Sequence, residues 1–117
     1  MPGPASDAQR TDAARARQIA TERIDADIRE MPAYRKFQEY QDAALRGLSV
    51  EDELNMYTAQ KEVLLRQRFM WREANELSQG AYHSKLNAIE RDLAKQEEVI
   101  DATMQSLSGV GYAAAQA

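Results

Sequence analysis

The chain has no cysteine, one histidine, three prolines and five glycines in 117 residues. Without cysteine there is no thiolate metal site, no thiol nucleophile and no disulfide, so the redox compartment is left open. The lone imidazole, His83 in "GAYHSK", has no second histidine to share a metal, and no glutamate three residues before it as a di-iron bundle needs. Glu97, Glu98 and Asp101 stand beside Lys95 and read as a solvated face. Glycine-rich phosphate loops, Ser/His/Asp sets and EF-hand loops are all missing. These absences predict a protein that is not an enzyme, with no cofactor, no metal and no small-molecule substrate.

An excess of positive charge is missing too. Fifteen basic residues face nineteen acidic ones, for a net charge of −4, which argues against nucleic acid as the default partner. No run reaches the length of a membrane span, and "MPGPASDAQRTDAARARQ" has no apolar stretch of the kind a signal peptide carries. The expected setting is the cytoplasm, or a particle assembled there. Eleven arginines against four lysines, with abundant alanine, is a pattern associated with GC-rich bacterial and bacteriophage genomes.

Hydrophobic residues make up 44% and charged residues 29%, enough to build a core and too balanced for a disordered polyampholyte. Strand signals are nearly absent and strong helix formers dominate. The expected fold is all-α: an extended helical hairpin or small bundle with coiled-coil-like seams, completed by oligomerisation or a partner chain.

Punctuation divides the chain. Residues 1–5 are a loose start, and Ser6 with Gln9 has capping-box spacing for an amphipathic helix over 6–31. Its apolar stripe is thin (Ala16, Ala20, Ile24, Ile28, Met31), and without an aromatic anchor it argues against membrane-surface binding. Arg10, Arg15, Arg17 and Arg23 are offset by Asp7, Asp12, Glu22 and Asp25. Pro32 ends that helix and suits the first position of the next, over about 32–46 with Tyr34, Phe37 and Ala44 inward. In "RGLSVEDEL", Gly47 fits a helix stop and Ser49 an N-cap, with three acids in the following first turn. A third helix then covers about 50–78 and a fourth about 84–108, with Ser84 as N-cap. Residues 109–117 are a flexible or docking tail in which Tyr112 is the candidate anchor.

Gly80 alone separates the last two helices. Tolerating it costs only about 1 kcal/mol and would leave one rod of about 85 Å. Matched helix lengths favour a hairpin, while the phase of the apolar pattern favours the rod.

Leu86, Leu93, Ile100 and Leu107 recur every seven residues, interleaved with Tyr82, Ile89, Gln96 and Thr103. That is an a/d seam with two polar interruptions. The third helix carries two lines, Met56, Val63, Met70, Leu77 and Tyr57, Leu64, Trp71, with Leu54, Leu65 and Phe69 widening the arc. One neighbour cannot cover so wide an arc. Candidate protein-interface residues are therefore Met56, Tyr57, Val63, Leu64, Met70 and Trp71, then Leu86, Ile89, Leu93, Ile100 and Leu107, with Tyr112.

The leading functional expectation is a non-enzymatic structural or adaptor protein that assembles through helical seams, with its own copies or a larger partner. A bacteriophage virion component fits these features. The alternative is a helical chaperone or regulatory protein-binding module that masks a partner's amphipathic helix. A nucleic-acid-binding protein ranks third: Lys61, Arg68 and Arg72 share one edge of helix three, but Glu62, Glu73 and Glu76 lie on the same helix. Those cations are expected to flank an apolar seam and meet acids on a neighbour. Trp71→Ala should cost about 3–5 kcal/mol in chemical denaturation for a buried ring; an unchanged unfolding curve would mark Trp71 as an exposed recognition residue.

Overall fold

The structure, a computed structural model, describes the backbone of residues 5–116 and the side chains of residues 7–108. Four helices follow one another, α1 (Ala5–Arg29), α2 (Pro32–Ala44), α3 (Val50–Leu77) and α4 (His83–Gln116). Among the described residues there is no strand. The fold is all-helical, with bundle packing.

Each break has a local cause. Pro32 cannot continue the ladder of α1, and Met31 before it is extended at φ −66° and ψ 134°. α1 closes its last turn tightly, with Met31 N–H donating to the Ile28 carbonyl at 3.0 Å. Ser6 lies inside α1, and its side chain is outside the described residues. Between α2 and α3, Gly47 turns the chain at φ +88°. Ser49 caps α3 by accepting from Asp52 N–H at 3.1 Å, with Glu51, Asp52 and Glu53 in the first turn.

The question of rod or hairpin is settled at residues 78–82, where the chain reverses. Gln79 and Gly80 both have positive φ, 58° and 95°. Gly80 N–H donates to the Asn75 carbonyl at 2.8 Å and Gln79 N–H to that of Glu76 at 3.3 Å, the paired bonds of a Schellman stop. Asn75 acts twice, because its side-chain oxygen also accepts from Tyr82 N–H at 2.8 Å. That bond launches α4 two residues earlier than Ser84 would as a cap, leaving Ser84 in the first turn.

α3 is the central helix. It packs on α4 along one face and on α2 and α1 along another, whereas among the described residues α4 meets only α3. The body is elongated, 75 × 24 × 21 Å. Its core is one cluster: Ile24 and Ile28 from α1, Ala33 from α2, Val63, Leu64 and Trp71 from α3, and Ile89 and Leu93 from α4. Residues 109–116 continue α4 as helical backbone; the side chain of Tyr112 lies outside the described residues.

Because both tip residues hold positive φ, Gly80→Ala should destabilise the fold by about 1 kcal/mol. Gln79→Gly should stabilise it by up to a similar amount, about 1 kcal/mol. Urea midpoints read both, and a stabilised Gly80→Ala protein would mean that α3 and α4 run on as one rod.

Candidate protein-interaction surface

The segment "VLLRQRFMWRE" on α3 carries most of the chemistry in question, and helical phase sorts it. Val63 and Met70 lie on one line, Leu64 and Trp71 about 100° further round. The first line faces α1: Met70, Ala74 and Leu77 share a groove of about 390 Å³ with Ala20 and Ile24, closed at the tip by Tyr82. The second faces α4: Trp71 is 3% exposed and its ring sits 5.1 Å from that of Tyr82, while Lys85 Nζ lies 5.3 Å over its other aspect. The two neighbours that α3 needs are both supplied by its own chain.

The candidate interface residues therefore divide. Val63, Leu64, Trp71, Ile89 and Leu93 are buried in the intrachain core. Met56, Tyr57, Met70, Leu86, Ile100 and Leu107 are half-buried. The polar positions of the α4 line are inside as well: Gln96 is 7% exposed and Thr103 8%. Gln96 Nε2 donates to the backbone carbonyl of Tyr57 at 3.1 Å, and Thr103 Oγ1 donates to the Val99 carbonyl.

The cations of the segment meet acids on neighbouring helices. Arg68 and Arg72 reach Glu90 at 3.5 and 3.3 Å, and Lys61 reaches Glu97 at 3.6 Å, which makes a row along one edge of the α3–α4 seam. Arg66 points the other way, to Asp27 of α1 at 3.3 Å. All four pairs are solvent-accessible, so they orient helices more than they stabilise them.

A third line of α3 is left uncovered. Leu65 is 38% and Phe69 60% exposed. They are four residues apart and so adjacent on the helix surface. The Arg66 guanidinium stands 5.5 Å above the Phe69 ring, a cation–π contact at an exposed site. Neither residue was among the sequence-derived candidates, which followed the heptad lines. Their phase was the available signal, since they fall on neither line. Further large apolar residues stand exposed at Ile19, Leu45, Leu77, Val99 and Met104.

Other chemistry is sparse. His83 is exposed in the first turn of α4. Among the described residues no three histidine or carboxylate groups cluster as a metal site, and no helix is long and apolar enough to cross a membrane.

No protein-family model, curated protein or solved structure matches the chain.

Since the Glu90 pairs are exposed, Glu90→Ala should lower stability by no more than about 1 kcal/mol. A larger loss in urea denaturation would show that the row holds α4 to α3, and not the apolar contacts beneath it.

Proposed function

We propose that the protein is a non-enzymatic structural or adaptor subunit that assembles with other protein surfaces through the helix faces its own fold leaves free. Its working place would be the cytoplasm or a particle built there, a bacteriophage virion included. The observation that carries this reading is the ridge of Leu65 and Phe69 on the central helix. An aromatic ring held in the open beside arginines matches the composition of protein interfaces, where Phe and Arg are enriched. Single exposed apolar residues are ordinary, whereas two neighbouring ones in the middle of the central helix ask for a cover.

The chaperone or binding-module reading draws on a different feature, the apolar groove between α1 and α3. A partner seated there would raise the melting temperature only when that partner is present, whereas self-assembly through the ridge needs no second protein. The nucleic-acid reading loses ground to the ion pairs, because Lys61, Arg68 and Arg72 each face a carboxylate. Their summed field over phosphate is small.

Phe69→Asp tests the ridge. The ring is mostly exposed, so the variant should unfold at an unchanged urea concentration while losing association in light scattering and partner recovery in pull-downs. A variant that assembles as the parent does would sink the reading, as would a parent protein that is a compact monomer with no partner recovered.

A further inference from the structure

We infer that the free first half of α1 pairs antiparallel with the same segment of a second copy of the chain. The inference rests on the assembly reading above and uses a different surface. Residues Asp7–Ile19 are exposed, with no other helix of the chain against them.

The exposed segment carries a patterned stripe. Ala8, Asp12, Arg15 and Ile19 follow at steps of four, three and four, which at about 100° per residue places them within about 60° of one another. Ile24 and Ile28, which bury α1 on α3, point to nearly the opposite side. All four stripe residues are exposed, Ile19 at 53%. Neither Asp12 nor Arg15 makes an ion pair within the chain among the described residues.

The charges on this stripe choose an orientation. Parallel pairing of two copies sets Asp12 on Asp12 and Arg15 on Arg15. Antiparallel pairing about the Ala13–Ala14 midpoint sets Asp12 against the second copy's Arg15 twice, by two-fold symmetry. The same register sets Ile19 against the second copy's Ala8 at both ends. Arg10 and Arg17 would oppose each other in that register, but both lie on the far side of the helix from the stripe. The two bodies extend in opposite directions from the paired segments, so they do not collide. With alanine as the main apolar contact and exposed ion pairs at the centre, the association is weak and salt-sensitive.

Sedimentation equilibrium of the full chain at low ionic strength, across a wide concentration range, tests the pairing. The parent protein should self-associate, and Asp12→Arg or Arg15→Asp alone should weaken this on the order of tenfold. The double variant, Asp12→Arg with Arg15→Asp, should restore it, because a two-fold pair regains both contacts. Circular dichroism checks that helix content is kept. Association that ignores the single reversals overturns the pairing and leaves the assembly reading standing. A double variant that stays weak overturns it equally. A parent protein that remains monomeric throughout overturns pairing with a second copy, and Phe69→Asp then tests the assembly reading separately by partner recovery.

Discussion

The fold depends on one demand made by α3: two apolar lines about 100° apart must both be covered. A helix with one stripe needs one partner, and a hairpin would satisfy it. Val63 and Met70 on one line and Leu64 and Trp71 on the next require partners on two sides. The chain meets this by placing α4 on the Leu64–Trp71 line and α1 with α2 on the Val63–Met70 line. Among the described residues, α4 and the α1–α2 pair then have no close backbone approach to each other. The outcome is a long, narrow molecule with α3 at its centre.

Polar groups act as registers within this arrangement. Apolar seams slide at low cost, whereas a buried amide loses its hydrogen bond on any shift. Gln96 fixes α4 against α3 through the Tyr57 carbonyl, and no buried side-chain polar atom among the described residues lacks a partner. At the surface, the Lys61, Arg68 and Arg72 row agrees with the same offset, and Asp27 with Arg66 sets α1 in its own. Opposite charges thus flank the α3–α4 and α1–α3 seams. The arginines around Trp71 belong to this scheme, which is why a segment rich in arginine and aromatics is mainly structural.

The all-helical class and the punctuation at Pro32, Gly47 and Ser49 were legible because each rests on a local cause: a missing donor, a positive φ, a side-chain cap. The tip was harder. Its stop uses Gln79, a residue without preference for positive φ, and the second role of Asn75 depends on Tyr82 being seven residues away in a turn already made. Local pattern cannot report such a bond before the reversal exists. The interface candidates met a different obstacle. Periodicity shows that Val63, Leu64 and Trp71 are apolar and aligned, but a face covered in cis and one covered in trans look alike in sequence. Only packing separates the buried lines from Leu65 and Phe69.

The exposed half of α1 follows from length. α3 has 28 residues, about 42 Å of helix, whereas α1 and α2 together hold 25 and 13, about 57 Å. Laid along the same face of α3, they must overrun it by about 15 Å, or some ten residues. The composition agrees with this geometry: from Asp7 to Gln18 no apolar residue is larger than alanine, and Ile19 is the first. A segment meant to be buried on α3 would carry the isoleucines found at Ile24 and Ile28. A segment meant only for solvent would need no regular spacing. The stripe from Ala8 to Ile19 has the spacing without the bulk, which suits a contact with another helix that forms and dissolves readily.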